Sequence, residues 1–82
     1  MLQASQLRAA RALLGWRQED LAKASKSALA TIARIEQSEG PVQGRFSTIM
    51  RIQDALQHAG IRFLEDDGEG FGVSLKKRPQ RR

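Results

Sequence analysis

The chain has 82 residues, no Cys, a single His and a formal net charge of +5 from 14 Lys and Arg against 9 Asp and Glu. That length allows one compact domain with a small core, and the lack of Cys excludes both a disulfide scaffold and a Cys-ligated zinc site. No apolar run approaches the ~18 residues of a membrane-spanning helix, and the polar character of residues 1–11 excludes a secretory signal, so the expectation is a soluble cytoplasmic protein.

Residues 4–14 read ASQLRAARALL. Leu7, Ala10 and Leu14 recur at three- and four-residue spacing, which predicts an amphipathic helix with Ser5 as N-cap and Gly15 as its stop. Residues 18–24, QEDLAKA, predict a second short helix. Glu19 and Asp20 lie in its first turn, where the helix dipole favours negative charge. Residues 25–27 are a polar break, and residues 28–37, ALATIARIEQ, predict a third helix with Leu29, Ile32 and Ile35 in register. Two Gly and one Pro make residues 38–45 a loop. Residues 46–59 predict a fourth helix, with Ile49, Ile52, Leu56 and Ala59 as its core stripe, Ser47 as cap and Gly60 as stop. The period then changes to two: residues 61–67 and 71–75 alternate around a Gly-rich turn, the mark of a β-hairpin. The tail after Leu75 is too charged to pack.

The charge is unevenly placed. Residues 1–60 carry +3, residues 61–75 carry −3, and residues 76–82 carry +5. A basic chain points to an anionic partner, but the excess equals that of the last seven residues alone. The pattern divides the chain into a helical domain over 1–60, a hairpin over 61–75 that either packs or dimerises, and a basic tail over 76–82.

Two short helices joined by a short break form a helix-turn-helix pattern. The residues make it specific. Arg11, Gly15-Trp16, Arg17, Gln18, Leu21-Ala22 and Ile35-Glu36 stand in the order and spacing that resemble the phage Cro and repressor type of helix-turn-helix protein, the xenobiotic-response-element family. The resemblance is ungapped over residues 11–37 and extends over roughly 4–60. It implies a mainly α fold, a four- to five-helix repressor-like domain followed by the two-stranded hairpin.

By spacing alone, Arg11 and Glu36 are either solvated charges or an ion pair; the resemblance implies a partly buried pair tying the first helix to the third. Gln18 opens the second helix, where unpaired N–H groups and a positive dipole suit a DNA phosphate, and the family uses its glutamine there for a backbone contact. The resemblance makes 28–37 the recognition helix. It implies base readout by Ala28, Leu29, Ala30 and Arg34, with Ser27, Thr31 and Gln37 at the edges. Arg34 is the one side chain of that set able to donate two hydrogen bonds to guanine. Leu29 offers only apolar contact, and its spacing to Ile32 equally suits core packing. Backbone contacts are expected from Arg17, Gln18, Lys26, Arg45, Ser47 and Thr48. Two departures from the family stand out. Arg17 replaces a capping Ser, Thr or Asn, and Lys26 stands in the turn where Gly is usual because the backbone needs positive φ. The turn is therefore either altered or weakened.

His58 has no nucleophile or orienting partner near it in sequence, and the acidic residues 65–69 lack the spacing of a calcium loop. No enzyme, cofactor or metal is expected. Phe63, Phe71, Val73 and Leu75 are the candidate dimer interface, or else they cover the core of their own chain. The tail either adds sequence-independent attraction to DNA or is a solvated segment that does nothing specific. The resulting expectation is a small homodimeric repressor of bacterial or phage origin that binds double-stranded DNA. The alternatives are the antitoxin of a toxin–antitoxin pair, with a toxin as partner, and a helix-turn-helix adaptor that binds only protein.

Overall fold

A computed structural model describes residues 2–64 and 68–76. The elements are α1 (Ala4–Leu14), α2 (Gln18–Ser25), α3 (Leu29–Gln37), α4 (Phe46–His58), β1 (Ile61–Leu64) and β2 (Gly72–Leu75). The two strands pair antiparallel, with Ile61 opposite Leu75 and Phe63 opposite Val73. The mainly helical fold with a closing hairpin agrees with the sequence pattern. Hairpin residues 65–67 and tail residues 77–82 lie outside the described residues.

One core joins all of this. Leu7 and Ala10 of α1, Leu21 and Ala22 of α2, Ile32 and Ile35 of α3, Ile52 and Leu56 of α4 and Ile61 of β1 are buried together. Each buried Leu or Ile contributes about 1.5–3 kcal/mol relative to an exposed one. Ala22 lies between helices where a larger side chain would force them apart. Leu14, Trp16, Phe63 and Val73 are half-buried against this core. The stripe of α4 is narrower than its periodicity suggests: Ile49 and Ala59 are only half-buried, leaving Ile52 and Leu56 in the core.

The helix starts differ from the expectation. Gln3, not Ser5, is the N-cap of α1. Its N–H donates to Gln6 Oε1 at 2.9 Å. The 38–45 loop folds back beside it, so that Ala4 N–H donates to Gly40 O and Val42 N–H to Leu2 O. With this short pairing to the loop the helix starts two residues upstream of where Ser5 would set it. Likewise Arg45, not Ser47, precedes α4, without a side-chain cap. Arg17 precedes α2, and its own N–H donates to Asp20 Oδ2 at 2.8 Å. That carboxylate at the third helical position supplies half of a capping box without a capping Ser.

The helix ends repeat one device. At the end of α1, Trp16 N–H donates to Arg11 O and Gly15 N–H to Ala12 O, with Gly15 left-handed at φ 68°. At the end of α2, Ser27 N–H donates to Ala22 O and Lys26 N–H to Lys23 O, with Lys26 left-handed at φ 56°. Both are Schellman-type stops. The turn is therefore not altered by the missing glycine; the lysine takes the glycine conformation. Among the described residues Lys26 is the one non-glycine with positive φ. A residue with a Cβ there costs roughly 1–2 kcal/mol.

The hairpin packs on α1 and α4 through Ile61, Phe63 and Val73. Phe71 lies before β2 rather than in it, 49% exposed, and Leu75 is 41% exposed. Phe63 and Val73 thus serve their own core, whereas Phe71 and Leu75 stay at the surface with Leu64. Gln6 is buried, and its Nε2 donates to Gly72 O at 2.9 Å.

Lys26→Gly should stabilise the fold by about 0.5–1 kcal/mol, the relieved left-handed strain less the extra backbone entropy of glycine. Thermal and urea unfolding check this; a midpoint unchanged or lowered would show that the turn carries no strain.

Candidate nucleic-acid interface

The side chain that organises the helix-turn-helix is Glu36, in the last turn of α3 and 2% exposed. A carboxylate so far from water costs several kcal/mol unless it is paired and hydrogen-bonded. It is both. Arg11 Nε donates to Oε2 at 2.7 Å and Arg11 Nη2 to Oε1 at 2.8 Å. This is the two-pronged geometry that makes arginine–carboxylate pairs strong. Gln18 Nε2 donates to Oε1 at 3.2 Å. Arg11 also donates from Nη1 to Trp16 O at 3.0 Å, just past the end of α1. One network therefore joins α1, the α1–α2 turn, the start of α2 and the end of α3. Hydrogen bonding to Glu36 raises the Arg11 pKa above its ordinary value, against the opposing effect of burial and with help from the Glu36 charge. A raised pKa on a basic group adds stability that is complete below the ordinary arginine value. That stability fades only as pH climbs through the higher folded one.

Sequence reasoning missed Arg8. Its Nη1 donates to the backbone oxygen of Glu36. The signal was available, since residues 8 and 11 stand three apart on one helix face.

The remaining predicted site residues fall into three places. On α3 the buried side is Ile32, Ile35 and Glu36, and the outward side carries Ala30, Arg34 and Gln37, all exposed. Ala28 precedes the helix and is exposed; Thr31 is half-buried. Leu29 is 45% exposed and outside the core, so its apolar surface belongs to the outward side. In the turn, Lys26 is exposed, and Ser27 is half-buried with its hydroxyl 3.4 Å from Ser25 O. At the helix starts, Gln18 is half-buried, Arg17 and Arg45 are exposed, Ser47 is exposed and Thr48 is half-buried. Arg17 makes a loose, solvated pair with Asp20 at 3.9 Å, worth well under about 1 kcal/mol. His58 is exposed in the last turn of α4, its Nδ1 3.0 Å from Asp54 O.

The two helices joined by the Lys26 turn, the core they share and the exposed outward face of the second one define a helix-turn-helix domain. The family model for helix-turn-helix domains of the Cro/C1 type, the xenobiotic-response-element family, matches residues 7–57, and the chain belongs to that family. It is a family of DNA-binding regulators rather than of enzymes. None of the curated proteins compared with the chain matches it significantly. No helix among the described residues is long and apolar enough to cross a membrane.

Removing Arg11 leaves Glu36 buried without its countercharge. Arg11→Met should destabilise the fold by about 3 kcal/mol, the lower end of the range for broken buried pairs, because Arg11 is 21% exposed. Adding Glu36→Gln should recover part of that loss. Urea unfolding of the single and double variants checks both, and strict additivity would show that the pair does not act as one.

Proposed function

We propose that the protein is a homodimeric transcriptional repressor that reads operator DNA by laying α3 in the major groove. The observation that carries this reading is the outward face of α3. Ala28, Leu29, Ala30, Arg34 and Gln37 are free of the core, on a helix whose other side is locked by Ile32, Ile35 and the Glu36 network. A recognition helix needs that combination, because base contacts discriminate only when the helix cannot re-orient. Arg34 is the base reader, through the fork that matches guanine. Ala28, Leu29 and Ala30 add close approach and contact with thymine methyl groups. A face with one strongly polar reader also implies that part of the specificity comes from DNA shape.

Backbone contacts surround this face. Arg17, Gln18, Lys26, Ser27, Thr31, Gln37, Arg45, Ser47 and Thr48 supply them. At the starts of α2 and α4 the first backbone N–H groups have no acceptor among the described residues, which favours a phosphate oxygen. Phe71 and Leu75 form the dimer contact, because exposed apolar side chains on so small a hairpin gain by meeting a second copy. Repression follows from occupancy of the operator alone.

The test is selection of bound sequences from a randomised duplex pool, with the wild type and with Arg34→Ala. The wild type should enrich a two-fold symmetric site. Arg34→Ala should lose preference at one base position per half-site, a cost of about 1–3 kcal/mol on that site. Absence of any enriched sequence would defeat the reading. Separately, Phe71→Glu should shift sedimentation equilibrium toward the monomer while leaving the far-ultraviolet circular dichroism of the folded chain unchanged; an unchanged association state would remove the hairpin from the dimer contact.

A further inference from the structure

We propose that Arg8 is a DNA-backbone residue, binding the same phosphate group as Gln18 and the start of α2. This rests on the DNA-binding reading and adds to it a residue that the sequence pattern does not single out.

A cleft of about 280 Å³ lies between α1, α2 and α3, lined by Arg8, Arg11, Gln18, Ala33, Glu36 and Gln37. Its charged groups are two guanidiniums and one carboxylate. Arg11 and Glu36 cancel each other through two direct hydrogen bonds. Arg8 is then the net charge of the cleft. Among the described residues no carboxylate lies within ion-pair distance of it. It gives one N–H to the backbone oxygen of Glu36, a partial charge only, and the guanidinium carries five.

The other lining groups favour an anion as well. Gln18 is held by Glu36 through its side-chain nitrogen, which fixes it at the start of α2, where the backbone N–H groups of Gln18 and Glu19 have no acceptor among the described residues. Gln37 is uncharged and exposed. The Arg8 side chain is itself exposed, so a phosphodiester oxygen reaches it without any rearrangement of the core. Its single bond to α3 holds the guanidinium at the cleft rather than letting it sweep through solvent, which lowers the entropy lost on binding.

The experiment measures the salt dependence of binding to a short mixed-sequence duplex, using the full chain as wild type, Arg8→Gln, Arg8→Lys and Lys23→Gln. Lys23 is an exposed charge on α2 outside the cleft. Arg8→Gln should reduce the slope of log affinity against log salt by about 0.9, the release of one phosphate contact, and should weaken binding by a similar factor on any sequence. Arg8→Lys should keep the slope, and Lys23→Gln should leave it unchanged. An unchanged slope in Arg8→Gln, with or without lost thermal stability, overturns the proposal and leaves Arg8 as a brace for α3. Equal slope losses in Arg8→Gln and Lys23→Gln overturn it in favour of the general field of the protein. A wild type that binds no duplex at all defeats the DNA reading itself, a different result from binding with an indifferent Arg8. A measurement independent of any variant's folding uses the wild type alone: DNA should slow modification of Arg8 by phenylglyoxal, and a rate indifferent to DNA also overturns the assignment.

Discussion

A single buried carboxylate sets the geometry of this domain. Glu36 has almost no contact with water, so its charge is tolerable only while Arg11 and Gln18 stay where they are. Each of those partners comes from a different helix. The requirement to satisfy one oxygen pair therefore fixes α1, α2 and α3 relative to each other more sharply than apolar contacts can, because hydrogen bonds are directional and apolar burial is not. Arg11 extends the constraint to the α1–α2 turn through Trp16 O. The outward face of α3 inherits its orientation from this arrangement.

Against that rigid end of the helix-turn-helix stands a less favourable one. The stop of α1 uses Gly15, which adopts the left-handed conformation without strain; the stop of α2 uses the same hydrogen bonds with Lys26. The bonds are sufficient to hold the lysine in place. Arg51 helps from α4, since its Nε donates to Ser25 O at 3.2 Å, and Ser25 Oγ donates to Leu21 O at 2.7 Å. The turn is thus held by satisfied carbonyls at the end of α2.

Much of this was legible in the sequence, and for a physical reason. Helical periodicity reports a buried stripe, and Leu7, Ala10, Leu21, Ile32, Ile35, Ile52 and Leu56 all fall in the core. The family resemblance implied the Arg11–Glu36 pair, which spacing alone left open between a pair and two solvated charges. What was not legible involved partners distant in sequence. The true cap of α1 depends on a loop some forty residues on, through Ala4 N–H and Gly40 O, so local capping preference misplaced it at Ser5. Ser47 is not the cap of α4 either: the chain enters the helix from an extended Arg45, and no side chain caps it there. The burial of Gln6 was not legible because nothing local shows that Gly72 will lie against it. The hairpin residues could not be divided between core and surface until the register placed Phe63 opposite Val73 and left Phe71 ahead of the strand.

The Gln6 amide has a consequence for the breathing of the molecule. Its oxygen takes the N–H of Gln3 and its nitrogen serves the carbonyl of Gly72. Chain ends and small hairpins ordinarily open independently, each at little free-energy cost. Here one planar group spans both, and it is buried. Opening either side leaves one end of that amide without a partner, so the two motions share a penalty. The first turn of α1 and the far strand of the hairpin therefore form one cooperative unit, joining residues that lie near the two ends of the chain.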